Sequence, residues 1–262
     1  MKSARPSFIL AQPIPRSAFL FPRALYAAGT LAALVTGYVP PFGETLARIL
    51  KCIPVAGLRR LSGLHPEGVP RNLVIHRGLI HLARHLILRW RMRGGGGGKA
   101  IMDFEADFSK WASRAALPHH AGFIGFSYSS LEIMQRERDA GRFCALIQID
   151  AAELHQRIVL DEAKRWPNYA GSAVLFPQEY FDRARREWSL ANLILVNSNW
   201  TRQMLIEEGV PETKIEVIPL AYRHLRGGVA RHHEAGAVLE EIALDERARG
   251  RSRRLHPGRP SS

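Results

Sequence analysis

Apolar and polar positions fall into short blocks along this chain, and one block can be read in full. Residues 193–196 (LILV) form an unbroken apolar run, the pattern of a strand buried on both faces of a parallel sheet. Ser198 or Asn199 then offers a side-chain oxygen to cap a helix, which the spacing predicts over about 200–208. Gly209, Val210 and Pro211 supply its stop: a left-handed residue, an apolar side chain that folds back, and a ring that forbids continuation. Residues 215–218 open another strand. A strand, helix and strand within about thirty residues make a right-handed crossover unit.

The same patterning upstream predicts strands at 8–11, 33–39, 122–126 and 143–149. Helices are expected at 18–28, 103–116, 129–140, 152–166 and 177–191, the third of them capped by Ser129 or Ser130 and stopped by Gly141. Residues 41–93 read as mostly helical and basic, broken at Pro54, Pro66 and Pro70. Within them, Leu79, Leu82, Ala83, Leu86 and Trp90 recur at helical spacing, while His81, Arg84, His85 and Arg89 line another face. Such a helix either packs its apolar face on a core or lies at a membrane surface. The five glycines at 94–98 have no following Ser or Thr and read as a flexible linker, not a phosphate cradle. The implied fold class is α/β: a Rossmann-like open, mostly parallel sheet with helices on both faces.

Composition fits a globular domain, with 46% apolar residues in 262. Cys52 and Cys144 have no C-x-x-C or Cys/His ligand spacing, so they read as buried thiols in a reducing compartment, and no metal site is expected. The net charge of +13 is uneven. Residues 1–102 hold 15 Lys and Arg against two acidic residues, residues 103–222 hold 13 against 17, and residues 223–262 hold 9 against 5. A basic N-terminal region points to a polyanionic partner: membrane lipid headgroups, nucleic acid or a phosphorylated substrate. No aromatic-interleaved nucleic-acid motif accompanies it, so no specific nucleic acid is expected. The apolar region at 24–39 is interrupted by Gly29 and Gly37 and is too short to cross a bilayer. Pro13, Pro15, Arg16, Pro22 and Arg23 interrupt any secretory leader. The expected location is cytoplasmic, with peripheral association at the inner membrane face if the basic region docks there.

Ligands of doubly wound sheets sit beyond the carboxyl ends of the strands. Three strand ends are therefore candidates, around Ser127 and Tyr128, around Gln148 and Asp150, and at Asn197, Ser198 and Asn199. Asp150 is the candidate catalytic residue, a base that removes or orients an acceptor hydroxyl proton. Ser127, Tyr128, Gln148, Asn197, Ser198 and Asn199 are the candidate substrate-binding residues. Helix capping is the competing role for Ser129, Ser198 and Asn199, and a cap or surface carboxylate for Asp150.

The pattern A-x-L-I-L-V-x-S over 191–198, with E-G-V-P over 208–211 and K-I-x-V-I-P-L over 214–220, resembles the last βαβ unit of the N-terminal domain in family 4 glycosyltransferases of the two-domain GT-B architecture. The stretches GFSYSSLE at 125–132 and EWSLA at 187–191 resemble the same family's bacterial members. The similarity spans residues 8–222 and is strong from Asp103 onward. It implies a single GT-B half, the acceptor-side domain, over 1–222. It also implies transfer of a sugar from a nucleotide diphosphate sugar to an acceptor without a required metal or other cofactor.

Two departures stand out. Many relatives carry a glycine-rich turn after the first strand, where this chain has Gln12-Pro13-Ile14-Pro15-Arg16. Many also carry a histidine just after the strand at 143–149, where this chain has Gln148 and Asp150 and its nearest histidine is His155. The family's donor domain has a carboxylate pair spaced E-x7-E; Glu179 and Glu187 have that spacing but lie on an N-domain helix. Residues 223–262, with nine arginines and no aromatic residue, read as a disordered basic tail in which 238–244 is the one helical stretch. The expectation is therefore a truncated or frame-shifted glycosyltransferase lacking its donor half. A split enzyme with a separate donor-domain chain, or a non-enzymatic module docking on an anionic membrane or another polyanion, are the alternatives.

Overall fold

All seven strands run parallel in the computed structural model, which describes residues 6–53, 62–92, 97–168 and 174–219. They are β1 (Phe8–Gln12), β2 (Leu31–Thr36), β3 (Val74–His76), β4 (Gly122–Phe126), β5 (Cys144–Gln148), β6 (Leu193–Val196) and β7 (Ile215–Val217), in the order β3-β2-β1-β4-β5-β6-β7. The chain builds outward from β1 through β2 to β3, then returns to the other side of β1 with β4. The switch point of this Rossmann-like sheet thus lies between β1 and β4, where Ala11 pairs with Val35 on one side and with Gly125 on the other.

The helices are α1 (Leu20–Ala27), α2 (Glu44–Cys52), α3 (Leu79–Met92), α4 (Gly97–Ala112), α5 (Leu131–Asp139), α6 (Ala152–Arg165), α7 (Gln178–Leu190) and α8 (Asn199–Glu207). The strands are apolar on both faces because both are covered. Alternate residues such as Ile9, Ala11, Phe123, Leu146 and Ile194 pack with Phe108 of α4, Met134 of α5, Trp188 of α7 and Leu205 of α8. Their neighbours Phe8, Leu10, Leu34, Ile124, Ile147 and Leu195 form a second cluster with Phe19 and Leu25. Each fully buried Leu, Ile or Phe contributes about 1.5–3 kcal/mol, which the central strands collect on both faces.

The βαβ unit at 193–217 forms as its spacing predicts. Ser198 Oγ accepts from Thr201 N at 3.2 Å, and Gly209 takes φ +90°. Val210 N–H donates back to the Leu205 carbonyl at 2.9 Å.

Several expectations need correction. Residues 41–93 contain the edge strand β3, which is only three residues long and too short to show a period of two. Gly97 and Gly98 are not linker: they open α4 and are buried. A Cβ on Gly98 would lie 1.8 Å from the Leu175 carbonyl oxygen, so the glycine permits close approach of two backbones. Gly94, Gly95 and Gly96 lie outside the described residues, as does the tail from 223.

Neither Ser129 nor Ser130 caps α5. Both hydroxyls donate to the Phe126 carbonyl instead, at 3.1 and 2.7 Å. Of the two cysteines only Cys144 is buried, and Cys52 at the end of α2 is exposed. Among the described residues no helix is long and apolar enough to cross a membrane.

Candidate functional site

The chain leaves β4 at Phe126 and turns through Ser127, Tyr128, Ser129 and Ser130 into α5. Tyr128 has φ +71°, a left-handed conformation that a tyrosine adopts only when its surroundings hold it there. Two residues of α7, one helical turn apart, do so. The Glu187 carboxylate accepts the Tyr128 and Ser130 amide N–H groups at 2.6 and 2.9 Å. Arg183 Nε donates to the Tyr128 carbonyl at 2.9 Å, and the same guanidinium makes a fork onto Glu132.

Glu187 is fully buried, and burial pushes its carboxyl up to about 7 against the pull of Arg183 and the two amides. The clamp sets the Tyr128 ring. That ring stacks on Tyr180 at 4.1 Å, and Tyr180 stacks in turn on Phe176 at 4.2 Å.

At the end of β5 the chain places Asp150 opposite Tyr128. Asp150 Oδ1 accepts from the Tyr128 hydroxyl at 2.5 Å, from Gln148 Nε2 at 3.2 Å and from Ala152 N at 3.0 Å. Among the described residues no hydrogen bond reaches Oδ2. Gln148 is fully buried beneath this carboxylate, and its Oε1 accepts from Trp188 Nε1 at 3.1 Å. An indole N–H only donates, so it fixes the amide with its NH2 toward Asp150. Burial and the neighbouring Asp150 carboxylate push the Tyr128 phenol well above its ordinary value, so it stays a donor.

These groups edge a cleft of about 260 Å³ between the carboxyl ends of β4 and β5 and the helices α6 and α7. Its polar lining comes from Tyr128, Asp150, His155 and Gln156, and its apolar wall from Val159, Val174, Phe176 and Tyr180. Gln156 Oε1 accepts from Phe176 N at 2.7 Å and holds that wall against α6. An ionisable pair beside stacked rings suits a small polyhydroxylated ligand that offers C–H faces and hydroxyls.

The sequence candidates divide on this geometry. Tyr128 and Asp150 line the cleft, and Gln148 positions Asp150 from below. Ser127 is fully buried with its hydroxyl unpartnered among the described residues and is not part of the lining. Asn197, Ser198 and Asn199 stand at the end of β6, away from the lining. Ser198 caps α8, and Asn197 Oδ1 accepts from the Thr201 hydroxyl at 3.1 Å. Glu179 is exposed whereas Glu187 is buried, so their E-x7-E spacing makes no carboxylate pair.

Sequence reasoning missed a second polar group at the switch point. Arg16 meets Glu105 of α4 at 3.2 Å, and the Tyr180 hydroxyl donates to the other Glu105 oxygen at 3.3 Å. Burial pushes Glu105 up to about 7, with Arg16 opposing. Gln12, fully buried at the end of β1, has neither amide atom partnered among the described residues. Glu105 and Glu187 had one legible signal: each is an acidic residue within the apolar stripe of its helix. His155 returns a histidine to the cleft from the first turn of α6.

No family model matches the chain, and no curated protein matches it. Among solved structures, similarity is found to Phytolacca americana UGT2 complexed with UDP-2fluoro-glucose and pterostilbene, at 12% identity and TM-score 0.37 over 87% of this chain and 56% of that one. A UDP-glucosyltransferase from Polygonum tinctorium capable of glucosylating indoxyl gives 12% identity and TM-score 0.36 over 87% and 55%. A Listeria monocytogenes protein named a UDP-N-acetylglucosamine 2-epimerase gives 8% and 0.35 over 81% and 44%. The chain thus spans about half the length of these structures, and its strand order and register define the fold.

Proposed function

We propose that this chain is the acceptor-side domain of a nucleotide-sugar-dependent glycosyltransferase of family 4 type in the GT-B architecture. One observation carries the reading. Asp150 is anchored through Oδ1 by three hydrogen bonds, with Oδ2 left unbonded among the described residues, at the edge of a cleft walled by stacked aromatic rings. The motifs at 125–132 and 187–220 that resemble family 4 members support it, because they supply Tyr128, Glu187 and the βαβ unit that closes the sheet.

In the proposed reaction the acceptor sugar packs a C–H face on Tyr180 and Phe176 and presents a hydroxyl to Asp150. As that oxygen attacks the anomeric carbon of the donor, its proton passes to Asp150 Oδ2, the bond from the anomeric carbon to the diphosphate breaks, and the nucleoside diphosphate leaves. Tyr128 and Gln148 hold the carboxylate in place through the transfer, and His155 lies close enough in the lining to bind a second hydroxyl. The donor is bound by a further domain or by a separate donor-domain chain, and much of the rate comes from closing the two together.

Ligand-observed saturation-transfer NMR with a panel of simple glycosides tests the acceptor site. Sugar C–H protons should receive saturation with the wild type, and Asp150→Asn should weaken the best binder about tenfold with an unchanged melting temperature. Equal binding by wild type and variant, or saturation by no glycoside of the panel, refutes the assignment.

A further inference from the structure

Helix α3 is mounted with its apolar stripe facing water. Leu79 is 70% exposed, Ile80 61%, Leu86 59%, Ile87 55% and Trp90 72%, whereas His81 and Leu88 are buried. At 3.6 residues per turn the five exposed apolar residues fall within an arc of about 120°, with Ala83 among them. The opposite side meets the domain through rings: His81 lies 4.8 Å from Phe104 and 5.8 Å from Phe108, and His85 lies 5.7 Å from Phe104. Burial holds the His81 imidazole down at about 4, so it packs as a neutral ring.

Ion pairs fix this orientation. Arg84 meets Asp107 at 3.0 Å, Arg91 meets Asp103 at 3.3 Å, and Arg77 also pairs with Asp107. The helix cannot roll its stripe inward without breaking them and exposing Phe104.

A soluble domain leaves such a contiguous patch uncovered only where something covers it in use. Charge decides what that is. The helix itself has no acidic residue; Arg89 borders the stripe on one edge, and Arg84 and Arg91 border the other while paired with Asp107 and Asp103 of α4. An anionic lipid surface takes a convex apolar stripe into its headgroup boundary, meets Arg89 with phosphates, and suits an indole at the interface.

We infer that α3 docks this domain on an anionic membrane surface, inserting Leu79, Ile80, Leu86, Ile87 and Trp90 while Arg89 contacts lipid phosphates and Arg84 and Arg91, held by Asp107 and Asp103, keep the stripe turned outward. The inference is independent of the glycosyl-transfer reading. It also reverses the simplest reading of the amphipathic pattern, in which the leucines would face the core.

Flotation of the full chain with vesicles tests it. The wild type should float with phosphatidylcholine vesicles containing phosphatidylglycerol, remain unbound with phosphatidylcholine alone, and release at high salt. The double variant Leu86→Glu/Trp90→Glu should lose binding at least about tenfold, with melting temperature and elution volume unchanged because both sites are exposed. With anionic vesicles the wild-type tryptophan emission should shift to the blue, and Trp90→Phe should abolish that shift. Absence of flotation, equal flotation of the double variant, or a wild-type dimer that the double variant dissociates would overturn the inference.

Discussion

Removing the Glu187 carboxylate should unseat the turn that carries Tyr128. In the folded chain it accepts two buried amide hydrogens and sits fully buried beside Arg183. Glu187→Ala orphans both amides, at about 1–3 kcal/mol each, and removes one buried methylene worth about 0.8 kcal/mol. The expected loss is about 3–7 kcal/mol, a large part of the ~5–15 kcal/mol that folds a domain.

Glu187→Gln keeps the shape and one acceptor but turns an NH2 toward the second amide. Its loss should be about 1–3 kcal/mol. The pH dependence separates the two causes. The folded-state value of about 7 lies above the ordinary 4.5, so between those limits the folded chain binds more protons than the unfolded one and stability falls as pH rises. The Gln variant lacks this contribution, so the gap between wild type and variant should narrow from about pH 5 to about pH 8.

Urea unfolding followed by tryptophan fluorescence and far-ultraviolet circular dichroism measures both quantities through the midpoint and slope. A Glu187→Ala loss below about 0.5 kcal/mol, the level of an ordinary surface change, would refute the clamp. A constant gap for Glu187→Gln would refute the protonation argument.

Two further outcomes follow from packing. Gly98→Ala should cost about 1–3 kcal/mol by urea unfolding, because its Cβ meets the Leu175 carbonyl oxygen at 1.8 Å, and wild-type stability in that variant would contradict the close approach. Burial pushes the Cys144 thiol up to about 12 while Cys52 is exposed, so a thiol reagent should titrate one cysteine rapidly in the native chain and both in denaturant. Rapid native reaction of Cys144, located by peptide mapping, would contradict its place in the core.

Where the local pattern decided the structure, the sequence was readable. The LILV run, the Ser198 cap and Gly209 each act within a few residues, and β6, α8 and β7 form where they predict. Strand β3 was hidden because Val74 to His76 is too short for a pattern. The mounting of α3 was hidden for another reason. Its amphipathic stripe is plain, but which side faces inward was decided by Phe104, Phe108, Asp103 and Asp107 on a different helix.

The same distinction holds at the site. That Tyr128, Gln148 and Asp150 come together is legible because each stands at the carboxyl end of a strand in a parallel sheet. The groups that hold the Tyr128 turn, Arg183 and Glu187, lie more than fifty positions away in sequence, and no local rule links them to it. The serines after β4 look like caps in sequence. In the structure their hydroxyls are spent on the Phe126 carbonyl, and the first-turn amide of Glu132 donates instead to Ser109 Oγ of α4.

The most direct test of the proposed acceptor site is photo-crosslinking with a diazirine-bearing glycoside, mapped by mass spectrometry. The site described here predicts label on peptides containing Tyr128, His155 to Val159 or Val174 to Tyr180, displaced by free glycoside and strongly reduced in Asp150→Asn. Label confined to other parts of the chain, or label that free glycoside does not displace, would contradict it.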